Sequence, residues 1–228
     1  SIHLLRKEKT MFNKKKWNNI RSLQKGTHLA SRVHRPFEDL AVYLLYDFKF
    51  IGADIISLVT YALAFLAAYL MVAGELVLAL SLMVLVGVLD GVDGKIARLR
   101  GKKTLIGKLE HSFDMLFEQV WYVAFMWYIW HATGSNAFLV LGFLWLVLDG
   151  FVRHIYNVTW ITTGKSLKYH GGLARYVTFI DGRRSVYVAH MIMWFLLGSP
   201  SNAMYTILGH CALTAISYTF LAFKATHK

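Results

Sequence analysis

Asp90-Gly91-Val92-Asp93-Gly94-Lys95-Ile96-Ala97-Arg98 is followed, after a short basic loop, by Gly107-Lys108-Leu109-Glu110-His111-Ser112-Phe113-Asp114, and long apolar runs flank the whole stretch. Carboxylates at the end of a membrane helix are costly and are rarely kept without a use. On a helix Asp90, Asp93 and Ala97 share one face, with the small alanine beneath the acids. Glu110 and Asp114 stand one turn apart on the next helix. If the two helices pack antiparallel across the turn near Gly101, all four carboxylates converge. Like charges so close need a counter-ion, and oxygen donors suit a hard divalent cation such as Mg2+ or Mn2+. The expected metal ligands, for one or two ions, are therefore Asp90, Asp93, Glu110 and Asp114.

Asp-x2-Asp-Gly-x2-Ala-Arg, eight residues, Gly, then an acid-x3-Asp pair resembles the signature of the CDP-alcohol phosphotransferases. The first half matches letter for letter, as does the gap Leu99–Ile106 before Gly107. The second half departs: the family pattern places acids at 111 and 115, where this chain has His111 and Met115, and its acids fall one residue earlier. The resemblance implies transfer of a phosphoalcohol group from a CDP-alcohol to a hydroxyl acceptor with release of CMP, in phospholipid or phosphodiester-polyol synthesis. It implies Asp114 as the base, and Gly94, Ala97, Arg98 and Gly107 around the nucleotide. It also implies a homodimer. His111 and Glu118 are further polar residues near that helix face. A membrane cation transporter using the acids as an ion site is the alternative, but a transport path calls for polar residues near the membrane middle, and here they cluster at one end.

A chain of 228 residues that is 56% hydrophobic, with two prolines and mean hydropathy +0.44, is too apolar for an ordinary soluble domain. Its single cysteine, Cys211, excludes an internal disulfide framework. The net charge of +12 suggests nucleic acid at first sight, but membrane topology accounts for it better, and no nucleic-acid partner is expected.

Residues 1–50 form a basic N-terminal segment in which Arg6, Lys7, Lys9, Lys14, Lys15, Lys16, Arg21 and Lys25 precede an amphipathic run from Ala30 to Phe50, with Arg32, Arg35, Glu38 and Asp39 between its apolar residues. No apolar core of a secretory signal follows the early charges. Val33, Phe37, Leu40, Ala41, Leu44 and Leu45 recur at helical spacing, and Pro36 suits a first turn. A helix on the membrane surface, drawn by anionic headgroups, is expected, although packing on another subunit would give the same pattern.

Residues 51–228 are expected to form the catalytic domain, giving an all-α membrane protein of six transmembrane helices preceded by the amphipathic surface helix. A span needs about 20 mostly apolar residues. The expected spans are Ile55–Val72, Leu76–Leu89 running on into the motif, Leu105–His131, Ala137–Ile155, Val186–Leu197 and Ala203–Phe223. The turns Ala73–Glu75, His131–Asn136 and Gly198–Asn202 hold no Lys or Arg. All the basic loops lie at the other ends, so those ends, the motif and both termini are placed in the cytoplasm. Trp121, Trp127, Trp130, Trp145, Trp160 and Trp194 include several near helix ends, as interfacial belts require, and others that ordinary packing would explain.

The cytoplasmic loop Ile161–Arg184 carries Lys165, Lys168, Arg175, Arg183 and Arg184 around Gly171-Gly172 and Asp181-Gly182. With Arg153 these are the candidates for binding a phosphate on acceptor or donor. Positive-inside topology would demand the same charges, and Arg153, one turn after Asp149, could equally form a structural pair.

Overall fold

The apolar runs fold as long helices that end where glycine permits a left-handed turn. The computed structural model describes residues 13–101 and 105–227, apart from the side chains of Leu105 and Glu110. Within them run α1 (Lys14–Ser22), α2 (Leu29–Leu45), α3 (Ala53–Val72), α4 (Leu76–Arg100), α5 (Leu105–Thr133), α6 (Ala137–Thr163), α7 (Gly172–Ile180), α8 (Arg184–Leu196) and α9 (Asn202–Thr226). A short 3-10 turn, Leu167–Tyr169, precedes α7, and the described residues contain no strand. Gly101 closes the motif helix at φ +62°, a conformation that a residue with a Cβ rarely adopts, and its N–H returns to the carbonyls of Ala97 and Arg98.

Four helices, α3, α4, α6 and α9, are long and apolar enough to cross a membrane, so this is an integral membrane protein. The other two expected spans differ in kind. Helix α5 has the length, at 29 residues, but its N-terminal half carries Lys108, Glu110, Asp114 and Glu118. Helix α8 has only 13 residues, a rise of about 20 Å against an apolar layer of about 30 Å.

Helix α3 packs along both α4 and α5, α6 packs against α5 and α9, and α8 touches α4 and α9. The two motif helices thus meet chiefly through α3 rather than by the direct antiparallel contact expected from the sequence. The main core joins Ala64, Ala67 and Met71 of α3 to Met83 and Val86 of α4 and Phe117, Trp121 and Phe125 of α5. Trp121 donates from Nε1 to the Ala64 carbonyl at 2.7 Å, and Trp145 stacks on Tyr122 at 4.2 Å. These two tryptophans are core residues, not members of an interfacial belt. Trp130 does sit at a helix end, donating to Asn136 Oδ1 at 3.0 Å.

Helix α2 turns its acids inward. Glu38, Asp39 and Val42 are buried against α4, while Val33, Phe37, Leu40 and Leu44 are exposed. The inversion follows from what lies opposite, because α4 offers a buried cation there, Lys95.

Candidate active site

On α4, Gly87, Gly91 and Lys95 follow one another at four-residue intervals and make a single stripe facing α2. His34 lies over Gly87 and Glu38 over Gly91. A Cβ at Gly87 would stand 2.8 Å from His34, and one at Gly91 only 2.3 Å from the Glu38 carboxyl carbon. Lys95 is 1% exposed, and its Nζ lies 2.8 Å from Glu38 Oε2 and 2.7 Å from Asp39 Oδ1. A buried ammonium requires such neutralisation. The glycines let α2 approach, and the lysine gives its acids a reason to turn inward. Helix α2 thereby brings His34 and Glu38 to the motif.

The result is one cavity of about 490 Å³, lined by residues that include His34 and Glu38 of α2, Gly87 and Asp90 of α4, and His111, Asp114, Met115 and Glu118 of α5. Asp149, Arg153, Tyr156 and Trp160 of α6 complete it with Arg183, Arg184 and Tyr218. Burial lowers the His34 imidazole below its ordinary value, although Glu38 pulls the other way.

A chain of ion pairs crosses the cavity wall. Asp90 accepts from Arg184 Nη2 at 2.6 Å, and Arg184 Nη1 lies 3.2 Å from Glu118 Oε1. The other oxygen of Glu118 accepts from Arg153, whose Nε donates to Asp149 at 2.7 Å. Gln119 donates to the same Asp149 oxygen at 2.7 Å. The expected Asp149–Arg153 pair is therefore present, but as one link of a longer chain. Glu118, a single carboxylate between two guanidiniums, is its centre.

Arg183 belongs to a second group. It forks onto Asp181, with its Nη2 donating at 2.7 Å, while Tyr218 donates to the same carboxylate and His28 Nε2 lies 3.2 Å away. Burial alone would raise Asp181, but His28, Arg183 and Tyr218 outweigh it and hold the carboxyl below its ordinary value. The His28–Asp181 contact ties the start of α2 to the α7–α8 loop.

The expected site residues are thus distributed unevenly. Asp90 and Asp114 line the common cavity. Asp93 is buried on the α3 side, accepting from Ser57 Oγ at 2.6 Å. Glu110 stands on α5, but its side chain lies outside the described residues. Positions 111 and 115, where the family pattern has acids, both face the cavity. Among the described residues no group of three or more His, Cys, Asp or Glu is arranged to hold a metal ion.

Of the expected nucleotide residues, Gly94 lies against Arg98, a Cβ there standing 3.2 Å from its guanidinium. Arg98 donates to the Leu23 carbonyl at 2.9 Å, Ala97 packs with Val92 and Ile96, and Gly107 is exposed. Arg153, Arg183 and Arg184 gather at the cavity. Lys165 faces a separate groove beside His170 and Lys224, Lys168 lies 5.1 Å from the Tyr169 ring, and Arg175 is exposed. His28, His34, Glu38 and Lys95 escaped the sequence reading. The signal for Glu38 and Lys95 was the glycine–lysine stripe Gly87, Gly91 and Lys95 running into the motif, set against the adjacent acids of the preceding helix.

Fold and cavity together define a helical membrane protein whose carboxylates and arginines face a shared chamber at one end of the bundle. The chain belongs to the CDP-alcohol phosphatidyltransferase family, whose model matches residues 50–216 and so includes the entire motif. That is a transferase family, acting on a phosphoalcohol carried by CDP, and the match gives the transporter alternative no support. Comparison with curated proteins finds no match. The family match begins after α2, so His28, His34 and Glu38 are contributions from outside it.

Proposed function

We propose that the protein transfers a phosphoalcohol group from a CDP-alcohol to a hydroxyl acceptor, releasing CMP. The observation that carries this reading is that the family-matched motif supplies Asp90 and Asp114 to one cavity together with three arginines. The acceptor hydroxyl oxygen attacks the phosphorus that bears the alcohol, the bond from that phosphorus to the CMP oxygen breaks, and CMP departs. Asp114 takes the hydroxyl proton, and its position on the cavity wall suits that role. Arg184, with Arg153 and Arg183 beside it on the cavity wall, offers a planar donor to a phosphate on acceptor or donor.

The donor set also fits a divalent cation in kind, since Asp90, Asp93, Glu110 and Asp114 offer only oxygen. When bound there, Mg2+ or Mn2+ would neutralise the diphosphate and the charge that develops on the leaving group. Asp93 is oriented by Ser57, and the nucleotide is assigned to the motif's Gly94, Ala97, Arg98 and Gly107. The segregation of Lys and Arg among the turns supports a cavity open to the cytoplasm, where a soluble nucleotide is available. The exposed stripe Val33, Phe37, Leu40 and Leu44 supports seating α2 in the interface of the same leaflet.

The test is CMP release from a panel of CDP-alcohols and acceptors by the protein in lipid nanodiscs. Release should require Mg2+ or Mn2+ and stop with chelator, and Asp93→Asn should abolish turnover while leaving the melting transition intact. Full turnover in excess chelator, or in that variant, would overturn the metal-dependent reading.

A further inference from the structure

Every guanidinium in the cavity already holds a carboxylate. Arg153 is bound by Asp149 and Glu118, Arg183 by Asp181, and Arg184 by Asp90 and Glu118. Among these side chains the carboxylates, Asp90, Glu118, Asp149 and Asp181, outnumber the guanidiniums by one. An incoming phosphate group therefore meets an array with no positive charge to spare. It must displace a carboxylate, and removing the partner of a part-buried charge is costly unless another charge replaces it.

Only one of the three arginines can be released by the chemistry proposed above. Among the described side chains Arg184 is the one of the three that holds a motif acid, Asp90, through its Nη2 at 2.6 Å. A cation at Asp90 would supply the counter-charge that Arg184 now supplies. Nη2 would then be free to turn into the cavity, which both residues line. The rest of the side chain need not move, because Nη1 keeps Glu118 at 3.2 Å and the guanidinium stays over the Phe117 ring at 5.1 Å. Arg153 and Arg183 have no such release, since their partners lie outside the motif.

We propose that Arg184 is a two-position residue, closed on Asp90 when the motif acids hold no cation and turned to a phosphate group when they do, so that cation and phosphate bind cooperatively. This rests on the motif acids binding a divalent cation. By linkage the effect is reciprocal: phosphate must tighten the cation by the same factor that the cation tightens phosphate. Its consequence is that the anion is received most tightly once the acids are neutralised.

The experiment is calorimetric titration of the protein in nanodiscs with inorganic phosphate, with and without Mg2+, beside a separate Mg2+ titration. Mg2+ should lower the phosphate Kd by about tenfold, a typical size for coupled sites. Asp90→Asn, which removes the competing charge, should bind phosphate without Mg2+ as tightly as the Mg2+-loaded parent does. Arg184→Gln should lose the Mg2+-linked gain. Repeating the titration with saturating CMP assigns the anion: a gain that survives belongs to the acceptor phosphate, and one that disappears belongs to the donor diphosphate. A normal Mg2+ isotherm with unchanged phosphate affinity overturns the exchange and leaves the metal site standing. A gain that persists in Arg184→Gln overturns it too, because the cation alone would then hold the anion. No Mg2+ isotherm at all removes the metal site and the exchange with it.

Discussion

Replacing Gly91 by alanine tests whether α2 is docked on the motif helix as described. The new Cβ would stand 2.3, 2.4 and 2.7 Å from the three terminal atoms of Glu38. Ordinary carbon contacts lie near 3.5–4.0 Å, so Glu38 must retreat by roughly 1 Å or more. It cannot do so freely, since Lys95 holds it at 2.8 Å. Overpacking of this kind costs about 1–3 kcal/mol, and alanine returns about 1 kcal/mol through its higher helix propensity. Gly209 on α9 provides the control, because a Cβ there meets nothing within 4 Å and gains the same propensity. The difference between the two variants removes that shared term and should be about 1–3 kcal/mol, with Gly91→Ala the less stable. SDS-titrated unfolding in mixed micelles, measured side by side, gives the comparison. Because Asp39 still holds Lys95 at 2.7 Å, α2 should loosen rather than detach, and a cysteine at Val42 should label faster in Gly91→Ala. Equal stabilisation by both alanines, with Val42→Cys equally protected, would refute the docking.

Glu110→Gln should remove most Mg2+-dependent CMP release while His111→Gln is much milder, since imidazole is a poor ligand for a hard cation. A dead His111→Gln beside an active Glu110→Gln would place the motif of α5 one residue further on. The Asp181 carboxyl, lowered in the folded protein, should stabilise fully above its unfolded value near 3.9 and lose that contribution as pH falls through the folded value. The melting gap between parent and Asp181→Asn should therefore shrink below about pH 4; a gap undiminished at pH 3 would contradict it. On a Cys211→Ala background, Ser135→Cys should label only from outside and Lys168→Cys only from the cytoplasm, and labelling of position 135 from within would reverse the orientation.

Helices α3, α4, α6 and α9 were legible because membrane spans announce themselves locally, by apolar length and by glycine at the turns. The motif was legible for the same reason: its spacing is a property of a single helix, and so was the pairing of Asp149 with Arg153 one turn on. Periodicity tells which residues share a face, but not what stands opposite. It could not show that Asp93 turns to Ser57 while Asp90 turns to Arg184, ninety-four positions further along the chain. Nor could it show that α4 and α5 meet through α3, or that Glu118 bridges two arginines. Helix α2 makes the contrast sharpest. Its sequence reads as a membrane-surface helix with an apolar stripe; Val33, Phe37, Leu40 and Leu44 of that stripe are exposed, whereas Ala41 and Leu45 pack inward. Which way the polar face turned was decided by a partner some fifty residues away: a buried Lys95 that needed two carboxylates, and two glycines that let the helix come close enough to deliver them.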